Sequence, residues 1–381
     1  MKGVMMLINL YPPLGGGTER QAERLAAYLA RQKLFAGVIT RRKDSSPQVE
    51  TRDGVHIFRI MEIGPGKLKS LTFIAGAILK MVMYAKSYDI LHAHLAFAPA
   101  VAASITGKLL RKKVIIKFGN SGEFGDVQAL NCSKRGRLAL AIIKRWADLF
   151  IALTEEIEQE MLKAGLPPTR VIRMVNGVDT ILFSPPIDKQ VAKTDIQMTG
   201  KTILLFTGRL TAQKALPNLL LALKQVSGVL PNVHLLLAGE GEERYKLEML
   251  AADLKIGSSL TFLGRCDTVQ DYLNAADIFV LPSLSEGLSN SLLEAMATGL
   301  PCIATFVGGS SDALGQGKCG VLISPNNTQQ LAEAILHLAL DPLERKNLGQ
   351  RARQRAIDHY DLEVIGANYL DLYDKLVCET L

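Results

Sequence analysis

Residues 278–304 open with Ile278-Phe279-Val280-Leu281-Pro282-Ser283-Leu284-Ser285-Glu286-Gly287-Leu288-Ser289-Asn290-Ser291-Leu292-Leu293-Glu294-Ala295-Met296-Ala297 and close with Cys302-Ile303-Ala304. Four apolar residues ended by a proline predict a short buried strand. The polar, glycine-containing stretch after it predicts a loop. Leu292, Leu293, Ala295, Met296 and Ala297 then predict a helix that starts near Ser291, and Cys302–Ala304 predicts the next strand. Strand, loop, helix and strand in so short a span make a parallel βαβ unit.

The same alternation runs outward in both directions. Towards the start, apolar or β-branched runs fall at Val4–Ile8, Phe35–Thr40, Val55–Ile60, Ile90–Leu91, Val114–Lys117, Leu149–Leu153 and Val171–Val175. Around the opening stretch they fall at Thr202–Phe206, His234–Ala238, Thr261–Leu263, Ile278–Leu281, Cys302–Ala304 and Val321–Ile323. This pattern predicts two α/β halves, each a parallel sheet with helices on both faces. Ser184–Gly200 is polar, holds Pro185-Pro186 and lacks apolar periodicity, so it is the expected linker. The expected domains are residues 1–183 and 184–361. Strand ends of the two would face a central cleft, where ligands of open parallel sheets sit. Ile365, Tyr369, Leu372 and Leu376 predict a C-terminal helix within about 362–381 that packs back on one domain.

The chain has 381 residues, 48% of them hydrophobic and 21% charged, which fits two well-cored domains. No window approaches a membrane span. Met1-Lys2-Gly3-Val4 leads into an apolar run too short for a signal peptide and reads as a first strand. Five scattered cysteines, with no CxxC pair, point away from disulfides or a zinc site and towards the cytoplasm. Residues 1–182 hold 27 Lys/Arg against 15 Asp/Glu (+12), and the rest hold 17 against 22 (−5). Arg111-Lys112-Lys113 and Lys134-Arg135-Gly136-Arg137 carry much of that excess. A basic half suits an anionic membrane surface at the inner face of the cell membrane, or is simply a solvated basic face. With one Trp and no aromatic–basic interleaving, nucleic acid is not the expected partner.

Several clusters carry chemistry. On one continuous helix Glu286 and Glu294 would stand roughly 12 Å apart along the axis and about 80° apart around it. With Glu286 in the loop and Glu294 in the first turn, both can face one ligand, and free N–H groups near Ser289–Leu292 can receive phosphate oxygens. Glu294 also fits a capping box closed on Ser291, with Ser289 or Asn290 as the alternative cap. After Thr202–Phe206 come Gly208-Arg209-Leu210-Thr211-Ala212-Gln213-Lys214, with Pro217 in the first turn of the next helix. Arg209 and Lys214 suit a diphosphate, or are two surface cations. Tyr11-Pro12-Pro13-Leu14-Gly15-Gly16-Gly17-Thr18-Glu19 is a glycine-rich turn feeding a helix whose expected cap is Thr18, paired with Gln21. It is a phosphate or hydroxyl site, or just a tight turn. Gly239-Glu240-Gly241-Glu242-Glu243 reads as a turn with helix-initiating acids, because they would repel a pyrophosphate. His92 and His94, two apart on a strand, share a face. His94 is the expected sugar-contacting or proton-sharing residue, and His92 a buried structural one. No Asp-x-Asp triplet occurs and no cluster completes a metal site, so neither metal nor other cofactor is expected.

Together these segments resemble the retaining glycosyltransferases of the GT-B fold, with two Rossmann-like domains, and specifically glycosyltransferase family 4 (glycosyl transferases group 1). Glu286-Gly287-Leu288-Ser289-Asn290-Ser291-Leu292-Leu293-Glu294 resembles the family's E-x7-E motif. Gly16-Gly17, Gly208-Arg209-Leu210 with Lys214, Ala238-Gly239-Glu240-Gly241, and Asn176-Gly177-Val178-Asp179 with Phe183 match in the same order. The resemblance implies an acceptor domain over 1–183, a nucleotide-sugar donor domain over 184–361, and a C-terminal helix crossing to the first. It implies donor contacts from Gly16, Gly17, Arg209, Lys214, Arg265, Glu286, Gly287, Leu288, Ser289, Asn290 and Glu294. His94, Glu286, Arg209 and Lys214 would do the chemistry, with Arg209 and Lys214 on the diphosphate, Glu286 on the sugar and Glu294 on the ribose.

Three departures stand out: Ala215 where glycine is usual, Ser310-Ser311-Asp312 after Gly308-Gly309, and Asn120-Ser121-Gly122-Glu123-Phe124-Gly125-Asp126 where many members have a His-Gly turn. Glu19, Asn120, Ser121, Glu123 and Asp126 are therefore the candidate acceptor residues. The implied reaction is metal-independent hexosyl transfer from an NDP-sugar, with retention, to a lipid-linked or growing polysaccharide. A sugar-nucleotide epimerase of related fold, or an inactive nucleotide-sugar-binding subunit, are the competing readings.

Overall fold

A computed structural model describes residues 1–12, 15–43, 45–266 and 268–378. Pro13 and Leu14 of the glycine-rich turn, and residues 379–381 of the C-terminal stretch, lie outside the described residues. The chain divides into two compact units, Met1–Gly177 with Leu362–Leu381, and Val178–Asp361.

The first unit runs β1 (Gly3–Leu7), α1 (Gly17–Arg31), β2 (Phe35–Arg41), β3 (Val49–Arg52), β4 (Val55–Ile60), α2 (Lys67–Met83), β5 (Ile90–Ala93), α3 (Ala98–Leu110), β6 (Lys113–Phe118), α4 (Asp126–Asn131), α5 (Lys134–Trp146), β7 (Leu149–Ala152), α6 (Glu155–Lys163) and β8 (Val171–Arg173). The second runs α7 (Lys189–Asp195), β9 (Thr202–Thr207), α8 (Leu216–Val229), β10 (Val233–Ala238), α9 (Arg244–Asp253), β11 (Leu260–Gly264), α10 (Val269–Ala275), β12 (Ile278–Leu281), α11 (Asn290–Ala297), β13 (Cys302–Thr305), α12 (Gly308–Ala313), β14 (Val321–Ile323), α13 (Thr328–Leu340) and α14 (Pro342–Tyr360). The closing helix α15 (Leu362–Cys378) belongs to the first unit.

The first sheet has the order β3-β4-β2-β1-β5-β6-β7-β8, and the second β11-β10-β9-β12-β13-β14. Apart from the β3–β4 pair, every pairing is parallel. Strand order reverses at β1/β5 in the first sheet and at β9/β12 in the second. Connections run outward on both sides of such a point, which opens a crevice beyond the carboxyl ends of the two central strands.

The strands are nearly continuous apolar runs because both faces are covered by helices. Edge strand β3, Val-Glu-Thr-Arg, escapes sequence reading for the opposite reason. It alternates exposed and half-buried residues and has no apolar run. α15 supplies Ile365, Tyr369 and Tyr373 to the core of the first unit, beside Tyr28 of α1 and Ile115 of β6. Each buried tyrosine removes about 150–250 Å² from water, which at about 25 cal/mol per Å² is worth ~4–6 kcal/mol before entropy is subtracted.

Two local expectations fail. The expected linker Ser184–Gly200 contains α7, whose Asp188 cap accepts from Gln190 N–H at 2.7 Å. Buried Lys193 of α7 pairs with Asp277 at 2.7 Å, so the segment is anchored to the second unit and the division falls earlier, between Gly177 and Val178. A seven-residue helix with one buried lysine leaves no apolar period to detect. Helix α1 begins at Gly17 with Gly16 as its cap, not Thr18. Gln21, the expected partner of Thr18, instead exchanges two hydrogen bonds with the Gly177 backbone, at 2.7 and 3.1 Å.

Candidate active site

In the second unit, β9 and β12 are neighbours at the strand-order reversal, and each ends in a loop that carries a charged side chain. The loop after β9 brings Lys214, and the loop after β12 brings Glu286. Lys214 Nζ donates to Glu286 Oε1 across the reversal. Both side chains are mostly buried, at 13% and 7% exposure. Ser283 Oγ donates to the same Oε1 at 2.6 Å, and Thr305 Oγ1 donates to the Ser283 carbonyl. Gln213 stitches the two loops together, since its Nε2 donates to Ser285 O at 2.8 Å and its carbonyl accepts from Leu284 N–H at 2.8 Å. Sequence reasoning missed Gln213, Ser283 and Thr305. Their one signal is position: Ser283 and Thr305 stand at the carboxyl ends of β12 and β13, and Gln213 is next to Lys214.

The loop Gly287–Ser289 runs directly into α11. Ser289, not Ser291, is the cap, and its Oγ accepts from Leu292 N–H. Asn290 is the first helical residue, so Glu294 lies in the second turn rather than the first, with 5% exposure. The capping box on Ser291 is thus not the geometry found. The N–H groups of the first turn lack intrahelical acceptors, and the helix follows directly on the loop that carries Glu286. Gly309 on the neighbouring turn approaches so closely that a Cβ there would stand 1.5 Å from Gly287 O.

Arg209 is exposed on the β9 loop, and its guanidinium has no ion-pair partner among the described residues. The loop is clamped edge-on by the segment after β10. Leu210 N–H donates to Glu240 O at 2.9 Å, and Glu243 N–H to Leu210 O at 3.0 Å. A Cβ on Gly241 would meet Leu210 O at 2.2 Å. Glycine is required there by a neighbouring backbone. The Glu side chains do not start the helix from within, because α9 begins at Arg244, which pairs with Glu240 and Glu248 at 2.7 and 2.8 Å. Ala215 adopts φ +47°, ψ +37°, the left-handed region that favours glycine. Arg265 is exposed just beyond β11.

In the first unit, Glu19 accepts from Gly16 N–H at 2.8 Å, so its carboxylate holds the start of α1. Gly17 is the first residue of that helix. His92 and His94 do share a face, with rings stacked at 4.2 Å and 25°. His92 Nδ1 lies 2.7 Å from Tyr373 Oη of α15. His94 is wholly buried, with neither ring nitrogen hydrogen-bonded among the described residues. Burial holds both imidazoles well below their usual range, and Lys117 adds to the effect. Lys117 itself is buried and its ammonium is lowered to about 7 by desolvation. It donates to Asn176 Oδ1 at 2.8 Å and lies over the Tyr369 ring.

The acceptor candidates split apart. Asp126 is buried, accepts from Gly119 N–H at 2.6 Å and Asn120 N–H at 3.4 Å, and is pushed up to about 6 by burial. Glu160 holds Gly122 N–H at 2.7 Å. Asp126 is therefore the anchor of the 119–125 loop, contrary to the expectation that it meets the acceptor. Ser121 is buried, Asn120 half-buried and Glu123 exposed. Among the described residues no group of His, Cys, Asp and Glu is arranged to hold a metal ion.

Two Rossmann-like α/β units, each built on a mainly parallel sheet of this topology, are the architecture of the GT-B glycosyltransferases. Residues 15–182 match the model of Glycosyltransferase Family 4, and residues 187–355 that of Glycosyl transferases group 1. The chain belongs to glycosyltransferase family 4. It is similar to the N-acetyl-alpha-D-glucosaminyl L-malate synthase of Bacillus anthracis, 26% identical over 76% of this chain and 75% of the relative. It is 25% identical to the UDP-Gal:alpha-D-GlcNAc-diphosphoundecaprenol alpha-1,3-galactosyltransferase of Escherichia coli, over 96% of this chain and 95% of the relative. Among solved structures it resembles Anabaena HepE in complex with UDP-glucose, with TM-score 0.83 and 21% identity over 98% and 99% of the two chains.

Proposed function

We propose that this glycosyltransferase moves a hexosyl group from a nucleoside-diphosphate sugar, with retention of anomeric configuration and without a metal, to a lipid-linked or growing polysaccharide acceptor. The Lys214–Glu286 pair at the β9/β12 reversal carries the reading. A donor diphosphate would take Lys214 as its counter-ion, together with Arg209 and the first-turn N–H groups of α11. Glu286 would then turn to the sugar hydroxyls, kept in place by Ser283. Glu294, Gly287, Leu288, Ser289 and Asn290 would line the same ligand, and Arg265 would lie at its base end.

Charge that develops on the leaving diphosphate would be met by two cations and a helix N-terminus, which is why no metal is assigned. The departing diphosphate would take the acceptor proton as the acceptor oxygen attacks from the face the leaving group vacates. Asn120, Ser121 and Glu123 would meet the acceptor. The nucleotide sugar and the diphosphoundecaprenol acceptor in the name of the E. coli relative support these choices of donor and acceptor. A lipid-linked acceptor puts the enzyme at the cytoplasmic face of a membrane as a peripheral protein; no helix among the described residues is long and apolar enough to cross one.

The test is NDP release with UDP-, GDP- and ADP-sugars in the presence of EDTA, and NMR of the product's anomeric proton. The reading expects release with at least one donor, unaffected by EDTA, and a product of the donor's configuration. Equal release by wild type, Lys214→Ala and Glu286→Ala would remove the site assignment.

A further inference from the structure

Strand β14 is an outer edge of the second sheet, and β13 and α13 both pack beside it. Phe306, the residue after β13, is 59% exposed. On α13, Gln330, Glu333 and His337 stand at i, i+3 and i+7 and so share one face, and all three are exposed. With Leu322 and Ser324 at the β14 edge, they and Phe306 line a groove of about 470 Å³. An aromatic wall with a few convergent polar groups, at this size, is the form of a small-ligand site.

The polar groups are only partly engaged. Gln330 Oε1 accepts from Ser324 N–H at 2.9 Å, while its Nε2 has no partner among the described residues. Gln329 Nε2 donates to one oxygen of Glu333 at 2.8 Å and leaves the other open. The His337 ring has no hydrogen bond or ion pair among the described residues.

This lining selects its occupant by elimination. Among the described residues no Lys or Arg lines the groove, and Glu333 would repel a phosphate or any other anion. A wholly apolar partner would bury three polar side chains without satisfying them. An added peptide strand needs a run of outward backbone groups. Phe306 N–H donates to Ile323 O at 2.7 Å, so Ile323 faces β13 and only its neighbour Leu322 faces outward within β14. The next outward N–H, that of Ser324, is already taken by Gln330. One rung does not hold a strand.

We infer that this groove binds a sugar ring of a neutral glycan chain, at a site separate from the Lys214–Glu286 pair. A pyranose carries C–H groups on its ring face and hydroxyls around its rim. The face would pack on Phe306, whose negative π-surface suits C–H hydrogens. The hydroxyls would exchange hydrogen bonds with Gln330, Glu333 and His337, which together supply donors and acceptors. Phe306 adjoins Thr305, whose hydroxyl donates to the carbonyl of Ser283, the residue that holds Glu286. The inference rests on the reading that the acceptor is a growing polysaccharide. It gives that chain a second hold on the protein, which would raise its effective concentration between transfers.

The experiment is a saturation-transfer NMR titration of the full chain with maltohexaose, cellohexaose and chitohexaose, and with a heparin hexasaccharide as the anionic comparison. The expected result is binding of at least one neutral hexasaccharide and not of the heparin fragment. Phe306→Ala and Gln330→Ala/His337→Ala, all at exposed positions and with melting curves unchanged from wild type, should each weaken binding at least about tenfold. Lys214→Ala should leave it unchanged. Binding of no neutral hexasaccharide, or equal binding of the heparin fragment, would overturn the inference. So would binding that Lys214→Ala removes and Phe306→Ala does not. A self-association in sedimentation that Phe306→Ala abolishes would assign the groove to a second copy and overturn it too. Binding is read without turnover. A chain that binds the glycan through Phe306 but releases no NDP would remove the transfer reading and leave this site, and the converse result would remove only the site.

Discussion

Both sheets gather basic side chains at or just past the carboxyl ends of strands close to the strand-order reversal, yet they treat the charge in opposite ways. In the second unit Lys214 meets a carboxylate, Glu286, and Arg209 stands exposed nearby. In the first unit Lys117, His92 and His94 are buried around Tyr369 and Tyr373 with no acid among their partners in the described residues, and desolvation drives all three towards their neutral forms. The topology fixes where polar groups gather; the presence of an acidic partner decides whether they stay charged. A charged, paired lysine can exchange its carboxylate for a phosphate. A neutral one serves as a hydrogen-bond donor inside a core.

The largest expected effect tests the charged half. Lys214→Ala and Glu286→Gln should each lower kcat/KM by about 10²–10³, the scale for losing one preorganised electrostatic contact, as read from initial rates of NDP release. A loss under about threefold in both would place the chemistry elsewhere.

The neutral half makes a pH prediction. Lys117 is lowered to about 7 in the fold, against roughly 10.4 in an unfolded chain. Between those values the unfolded chain binds one proton more than the native protein, so stability rises with pH. This contribution is complete above about pH 10.4 and is lost as pH falls through about 7, with a slope of about 1.4 kcal/mol per unit. Urea titrations across that window should show the slope in wild type, reduced by about that amount in Lys117→Met. An identical slope in the variant would mean Lys117 stays charged, and the contrast between the units would disappear.

Tyr373→Phe removes the hydroxyl on His92 and leaves a buried imidazole nitrogen without a partner. It should cost about 1–3 kcal/mol of the stability of the first unit. Smallest of all, Ala215→Gly should stabilise the second unit by up to about 1 kcal/mol, because alanine holds a left-handed conformation there. Thermal melts check both, and a destabilising glycine would show that Ala215's buried methyl outweighs its backbone strain.

What the sequence disclosed depended on how far apart cause and effect lie along the chain. Every strand with an apolar run was legible, as were the βαβ alternation, the placement of Pro217 and the shared face of His92 and His94. Edge strand β3 was not, because half its residues face water. Caps were not decided by pattern where several small polar residues compete: one was misread and the other left open between Ser291, Asn290 and Ser289. Thr18 lost to Gly16, and Ser291 lost to Ser289, since the entry path of the backbone, set by tertiary packing, chooses among them. Asp126 looked like an acceptor group but turned out to be a loop anchor, for its partners are backbone N–H groups that no residue pattern records. The Lys214–Glu286 pair spans 72 residues, and Gln213, Ser283 and Thr305 matter only once those loops are side by side.

The membership of α15 in the first unit has a kinetic consequence. Ile365, Tyr369 and Tyr373 complete a core whose other parts precede Gly177, and the whole of Val178–Asp361 is synthesised between them. During translation the first unit must wait with its α1 face open while the second, contiguous in sequence, is free to fold on its own. The closing step joins residues almost a full chain length apart, which makes it the slow, high-contact-order event of folding. A nascent chain halted before Leu362 should therefore expose the apolar surface that α15 later covers, and be the species most in need of a chaperone.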